Sequence, residues 1–254
     1  DNVQVFDQLT IDHHHTLAFV LGVFVGRDDF FRPFDFTLGR AVDLVGLGDG
    51  FGVDQGLAVE TKIVTLTARL LESLVIGQIQ ETQGPKNGTD PLTHYLQVVA
   101  DKTGSLIATS ARFGALLAGA DKSIVETLTV FGEKIGIAFQ LADDVIDIES
   151  DSSQSGKTPG TDLKEGVPTL VTLQIMRSDR PEDAELKTLL SAPMDDVTVA
   201  KVIPQLRNHQ ALKDAKKYLH DLADESKQLL NSLPTGPARS ALENLCQAIV
   251  ERTA

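Results

Sequence analysis

Apolar residues recur at the spacing of amphipathic α-helices through most of the chain, starting at Val59. The first helical segment ends near Gly84-Pro85, and its apolar stripe consists of Ile63, Leu66, Leu70, Leu74 and Val75. Further helices are predicted over residues 91–119, 123–149, 167–177, 182–190, 195–208, 209–232 and 236–252. No hairpin or strand–helix–strand pattern interrupts these segments. Short connections between long helices predict an all-α fold, an antiparallel helical bundle with any active site in a central cavity.

Residues 1–60 do not follow this pattern. They hold 8 of the 20 Gly, 8 of the 11 Phe and no Lys, and the glycine-rich run 46–52 disfavours a helix. The sequence therefore predicts an atypical segment over residues 1–60 and a helical domain over residues 61–254.

Composition and charge restrict the partners and the compartment. The chain carries 36 Asp and Glu against 23 Lys and Arg, a formal charge of −13, which excludes a general nucleic-acid binder. A single cysteine, Cys246, can form neither an internal disulfide nor a thiolate metal site, and this favours the cytoplasm. Because the longest apolar run, residues 17–26, is too short to cross a bilayer, no transmembrane segment is expected.

Three acidic residues within one predicted helix are the main candidates for chemistry. Asp143 and Asp147 are four residues apart and share a helix face, and Asp144 lies about 100° around the axis. Carboxylate oxygens one turn apart suit Mg²⁺, which in proteins commonly binds one or two carboxylates together with substrate phosphate oxygens. A solvated acidic face is the alternative, but the flanking residues are almost all apolar, so a buried cluster that binds a cation is favoured.

A loop that follows the cluster offers a phosphate-binding lysine. In the stretch 155–162, SGKTPGTD, glycines permit a close approach of the backbone, and Lys157 can neutralise a phosphate group. The stretch lacks the GxxxxGK[ST] pattern, so it does not indicate nucleoside triphosphate binding.

The stretch 139–169, FQLADDVIDIESDSSQSGKTPGTDLKEGVPT, resembles the second aspartate-rich region of trans-isoprenyl diphosphate synthases, the polyprenyl synthetase family. Residues 77–81, GQIQE, and residues 102–106, KTGSL, resemble two further motifs of this family, in the same order. The likeness covers about residues 60–254, and the C-terminal part is similar to bacterial long-chain members. It implies an isoprenoid-synthase-type fold around a central cavity, and elongation of an allylic diphosphate by isopentenyl diphosphate with Mg²⁺.

The resemblance also implies roles for individual residues. Asp143, Asp144 and Asp147 correspond to metal ligands. Lys102 and Lys157 correspond to residues that hold the allylic diphosphate, Thr103 and Gln140 to residues near the reacting carbons, and Gln78 to a residue that lines the substrate cavity. Purely structural alternatives stay open at this point: a surface lysine at position 102, a threonine that hydrogen-bonds to its own backbone at position 103, and a local pair between Gln78 and Glu81.

The family's first aspartate-rich motif, its paired arginines and its GGKxxRP segment are not found in residues 1–60. The nearest acidic stretch, residues 27–35, separates its acids across a proline, and the histidines at 13–15 favour a solvated stretch over a metal site. Three explanations remain: a diverged or truncated member, a subunit that needs a complete partner, or a segment unlike the natural coding sequence. The predicted assembly is therefore either a homodimer or a complex with an active prenyl synthase, in which this chain is a catalytically impaired or non-catalytic subunit.

A second Asp-Asp-Val string occurs at residues 195–197, but no Asp follows it at helical spacing. We expect Asp195 to cap a helix there rather than to bind a metal.

Overall fold

The structure is a computed structural model that describes residues 53–149, 159–192 and 194–252, with side chains from residue 61 onward. None of the side chains of residues 1–60 is described, and Lys157 also lies outside the described residues. The helices are α1 (Val53–Gln83), α2 (Pro91–Val99), α3 (Ser105–Leu117), α4 (Lys122–Glu149), α5 (Thr161–Glu165), α6 (Leu170–Arg177), α7 (Ala184–Leu190), α8 (Asp196–Asn208), α9 (Gln210–Leu229) and α10 (Pro237–Glu251). A π-helical turn (Ala100–Gly104) joins α2 to α3, and 3₁₀ turns lie at Pro181–Asp183 and Leu230–Ser232.

The predicted helices are confirmed, with three differences. α1 begins at Val53, six residues before the change of pattern at Val59. The predicted helix 91–119 is divided by the π turn, and the short helix α5 was not predicted. The described residues contain no strand, as expected for an all-α chain.

Side-chain caps fix the starts of several helices. The Asp90 carboxylate accepts from the Thr93 N–H at the start of α2, and Asp195 accepts from the Thr198 N–H at the start of α8, 2.8 Å away. The capping role predicted for Asp195 is confirmed. At the start of α6, Thr169 and Thr172 form a reciprocal capping box.

Helix α4 is the central element of the bundle. It contacts α2, α3, α5, α6, α8, α9, α10 and the π turn. Its interior side chains are almost completely buried: Ile135, Ala138, Leu141, Ala142, Val145 and Ile148. Because α4 carries the acidic cluster at its C-terminal end, the cluster is attached to the most firmly packed helix of the described chain.

Two glycines of α4 allow the preceding elements to approach closely. A Cβ at Gly132 would lie 2.7 Å from the Ala108 Cα, and a Cβ at Gly136 would lie 2.9 Å from the Gly104 Cα and 3.0 Å from the Thr103 carbonyl oxygen. Backbone therefore packs on backbone along this seam, which places Thr103 against α4.

Replacing Gly136 by alanine should destabilise the protein by about 1–2 kcal/mol, because backbone atoms must move and only part of this cost is offset by the better helix propensity of alanine. Urea unfolding followed by circular dichroism measures the effect. Gly236→Ala is the control, since a Cβ at Gly236 meets no atom within 4 Å, and only a capping preference of less than ~1 kcal/mol is at stake. A Gly136→Ala variant as stable as the original protein would contradict the close packing.

Two further expectations concern Cys246 and the membrane. Cys246 is buried in the core as a small apolar residue, and burial raises the pKa of its thiol to about 11, so the thiol stays protonated. Within the described ranges, none of the helices combines the length and the apolar character needed to cross a membrane.

Candidate functional site

Lys102, in the π turn, faces residues 77–81 of α1. The Lys102 Nζ lies 2.6 Å from the Glu81 Oε2, and the Gln78 Nε2 donates to the same oxygen at 3.0 Å. Gly77 leaves room for this contact, because a Cβ there would lie 2.8 Å from the Lys102 Cγ. Gln78 and Glu81 thus form a local pair, and this pair also binds the candidate phosphate-binding lysine.

Thr103 and Gln140 connect the π turn to α4. The Thr103 hydroxyl donates to the Gln140 Oε1 at 3.2 Å. The side chain of Thr103 is therefore directed to α4 rather than to its own backbone, and two of the predicted site residues from distant parts of the sequence are in contact.

Asp143 is partly exposed and paired with a basic residue from the end of α10. The Arg252 Nη2 lies 2.6 Å from the Asp143 Oδ1, and the Arg252 guanidinium stacks 4.6 Å from the centre of the Phe139 ring. The positive charge of Arg252 therefore neutralises the negative charge of Asp143, at a position where we expect a metal cation to bind.

Asp147 connects the end of α4 to α5. Its Oδ1 accepts from the Thr161 N–H at 3.1 Å and its Oδ2 from the Asp162 N–H at 3.2 Å, and its carbonyl oxygen accepts from the Gly160 N–H at 2.9 Å. The segment that follows the undescribed loop therefore returns to the acidic cluster.

Asp144 lies in the interior, with 5% of its surface exposed. The Tyr95 hydroxyl of α2 donates to its Oδ2, and the Gln140 Nε2 donates to its Oδ1 at 3.3 Å. Burial raises the pKa of Asp144 to about 7, although the hydrogen bonds from Tyr95 and Gln140 act in the opposite direction. Burial and the charge of Asp144 raise the pKa of Tyr95, so the phenol remains a donor.

The donor set partly fits a divalent cation. Asp143 and Asp147 share one face of α4 and offer hard carboxylate oxygens, of which Mg²⁺ needs only one or two from the protein. Asp144 is engaged in the interior by Tyr95 and Gln140. Accordingly, in the part of the chain that the structure describes, no three His, Cys, Asp or Glu side chains converge in a geometry that could hold a metal ion. The metal-ligand roles of Asp143, Asp144 and Asp147 stay predictions.

Sequence reasoning did not identify Tyr95 or Arg252. The available signal for Tyr95 was a phenol within an apolar stretch two helical turns before Lys102, since a buried hydroxyl needs a partner. The contact of Arg252 with Asp143 spans 109 positions and carries no local signal.

The raised pKa of Asp144 predicts a pH dependence of stability for the metal-free protein. Between pH 4 and pH 7 the folded chain retains a proton on Asp144 that the unfolded chain has lost, so the free energy of unfolding should decrease as the pH rises through this range. The decrease contributed by Asp144 is at most ~4 kcal/mol. Urea unfolding with a chelator at pH 5 and pH 8 measures it, and Asp144→Asn should reduce the difference. An identical pH dependence in Asp144→Asn would contradict the assignment.

Comparison with known proteins places this geometry in a family. Residues 51–206 match the polyprenyl synthetase family. Nonaprenyl diphosphate synthase of Mycobacterium tuberculosis is 42% identical over 190 residues, which cover 74% of this chain and 57% of that protein. Heptaprenyl diphosphate synthase component 2 of Geobacillus stearothermophilus is 32% identical over 188 residues, which cover 73% and 57%. The chain thus spans less than two thirds of the length of these relatives.

A crystal structure of geranylgeranyl pyrophosphate synthase from Corynebacterium glutamicum, complexed with calcium and isoprenyl diphosphate, superimposes with a TM-score of 0.71. It is 39% identical, and the match covers 76% of this chain and 60% of that one. The predicted isoprenoid-synthase-type fold is confirmed by this likeness. The motifs, the fold and the matched length agree, and the chain belongs to the polyprenyl synthetase family.

Proposed function

We propose that the protein is a prenyltransferase that condenses an allylic diphosphate with isopentenyl diphosphate to give a longer trans-polyprenyl diphosphate and free diphosphate. The contact of Thr103 with Gln140 is the observation that carries the proposal. It joins the lysine-threonine motif of the π turn to the acidic motif of α4, so that groups suited to a diphosphate and groups suited to a carbocation are neighbours.

The chemistry requires separate stabilisation of a leaving anion and a developing cation. The carbon–oxygen bond of the allylic diphosphate breaks, the electron pair leaves with the diphosphate, and the allylic cation forms a carbon–carbon bond with isopentenyl diphosphate before a proton is lost. Lys102 and Lys157 would bind the diphosphate by charge, and the side-chain oxygens of Thr103 and Gln140 would stabilise the cation by their dipoles. Apolar walls of the helical bundle would exclude water from the cation.

Asp143 and Asp147 would hold Mg²⁺ in this scheme. When bound, the ion would neutralise the negative charge on the leaving diphosphate. The crystal structure of the Corynebacterium glutamicum relative with calcium and isoprenyl diphosphate supports the use of a divalent cation.

Product formation tests the proposal. The purified chain is incubated with radiolabelled isopentenyl diphosphate, farnesyl diphosphate and Mg²⁺ at pH 8, and extracted products are separated by length. We expect products longer than farnesyl diphosphate, and none when a chelator replaces the metal. Longer products that form equally well in the presence of the chelator would contradict the mechanism.

A second candidate function is that of a subunit that requires an active prenyl synthase. The relative named component 2 of heptaprenyl diphosphate synthase supports it. So does a row of apolar side chains on α1 that are about half exposed or more: Val64, Leu71, Val75 and Ile79. Product formed only after addition of a second prenyl synthase subunit would favour this candidate over an independently active homodimer.

For the independently active homodimer, we expect the exposed apolar row of α1 to form the interface. Sedimentation velocity should show a dimer that dissociates in Leu71→Glu, while Val197→Glu, a change at an exposed apolar residue of α8, leaves it intact.

A cytoplasmic location stays a prediction that depends on the single cysteine.

A further inference from the structure

The three acids of the motif do not share one environment. The Asp143 side chain is one-third exposed, whereas Asp144 is buried and accepts hydrogen bonds from Tyr95 and Gln140. Asp144 and Gln140 are four residues apart on α4, so they are stacked on the same face of the helix. This face is directed to α2 and to the π turn.

The contact with Asp144 selects one orientation of the Gln140 amide. An ionised carboxylate only accepts hydrogen bonds, so when Asp144 is ionised the amide nitrogen must face Asp144 and the amide oxygen must face the other way. The Thr103 hydroxyl lies on that other side and donates to the Gln140 Oε1. With the amide reversed, its oxygen would face the Asp144 carboxylate, and its nitrogen could no longer donate to that carboxylate.

Tyr95 fixes the position of the Asp144 carboxylate, which in turn selects the orientation of the Gln140 amide. Its hydroxyl donates to the second oxygen of Asp144, and the residue is 8% exposed, so water has little access to replace the hydroxyl. The four side chains form one chain of hydrogen bonds: Tyr95, Asp144, Gln140 and Thr103.

We propose that Asp144 and Tyr95 are positioning residues, which hold the Gln140 amide oxygen toward Thr103 and the reacting carbons, and that Asp144 is not one of the metal ligands. The acidic motif then has two functions: Asp143 and Asp147 bind the metal, and Asp144 orients the amide. This inference rests on the proposed prenyl transfer.

Kinetics of Tyr95→Phe test the positioning role. We expect kcat to fall about tenfold, with little change in the KM for either substrate, because the substrate-binding groups are retained. In a Gln140→Leu background the same change should alter kcat less than twofold, since its effect acts through Gln140. Tyr218→Phe, at the exposed second tyrosine of the sequence, is the control and should have no effect. Equal losses in both backgrounds, or no loss in the first, would overturn the proposal.

Metal affinity tests the second half of the inference. Calorimetric titration of Mg²⁺ in the presence of inorganic diphosphate should give affinities within about twofold of the original protein for Tyr95→Phe and Asp144→Asn, and at least tenfold weaker for Asp143→Asn. If Tyr95→Phe does not fold, the test relies on Asp144→Asn, because asparagine has the same shape as aspartate. A loss in Asp144→Asn as large as that in Asp143→Asn would return Asp144 to the metal ligands.

A spectroscopic measurement separates this inference from the proposed function. The side-chain amide signals of Gln140 in the ¹H–¹⁵N spectrum, assigned by their absence in Gln140→Leu, should shift in Tyr95→Phe and stay unchanged in Tyr218→Phe. This result requires no turnover, so it stands even if no prenyl product forms. Unchanged Gln140 signals in Tyr95→Phe would contradict the positioning role.

Discussion

Replacing Asp143 by asparagine should lower kcat for prenyl transfer by about 10²- to 10³-fold, the usual loss when one group that stabilises charge in the transition state is removed. Asparagine keeps the size of the side chain and loses its charge. The same change removes the ion pair with Arg252, but both side chains are about one-third exposed, so the expected loss of stability is below ~1 kcal/mol. Initial rates with saturating substrates and a thermal unfolding curve separate the two effects.

The second Asp-Asp-Val string supplies the control for this variant. Asp196→Asn removes an acid of the same local sequence from α8, where Asp196 pairs with Lys164. Its kcat should equal that of the original protein. If Asp143→Asn and Asp196→Asn had the same activity, Asp143 would have no role in metal binding or catalysis.

Replacing Lys102 by glutamine should weaken binding of the allylic diphosphate by about 10- to 100-fold, because a hydrogen bond to a charged group contributes about 1.5–3 kcal/mol. The Lys102 ammonium is bound to Glu81 at 2.6 Å, and its side chain is 32% exposed. It is therefore accessible to a diphosphate and can exchange one anionic partner for another. The dissociation constant of farnesyl diphosphate, measured by calorimetry, gives the effect directly.

Lys134→Gln is a closely matched control. The Lys134 Nζ lies 2.8 Å from the Glu225 Oε2, and its side chain is also 32% exposed, but this pair links α4 to α9 away from the π turn. Substrate affinity should not change in this variant. A similar loss of affinity in both lysine variants would indicate an effect of net charge rather than a binding site.

The sequence predicted the parts of this structure that depend on short-range physics. Helix ranges followed from apolar spacing, and the cap at Asp195 followed from the preference of Asp for the position before a helix. α5 was missed because five residues are too few for a periodicity. Its ends are marked by Gly160 and Gly166, which both adopt positive φ.

The resemblance placed Thr103 and Gln140 in one site, and these side chains are in contact, but it did not distinguish the environments of the three acids. On a helix, Asp144 must differ in direction from Asp143 and Asp147, but its burial depends on the docking of α2, whose Tyr95 is 49 positions away. Likewise, the π turn that aims Thr103 at Gln140 has no pattern that distinguishes it from the helix around it. Long-range packing, which local spacing does not encode, decides these details.

Metal-dependent binding of an unreactive substrate analogue is the decisive measurement for a magnesium-assisted diphosphate site at Asp143. Farnesyl thiodiphosphate is titrated calorimetrically into the protein at pH 8 with Mg²⁺ and with a chelator, for the original chain and for Asp143→Asn. We expect binding with Mg²⁺, at least tenfold weaker binding with the chelator, and little effect of Mg²⁺ in Asp143→Asn. Equal affinity with Mg²⁺ and with the chelator in the original chain would contradict this expectation.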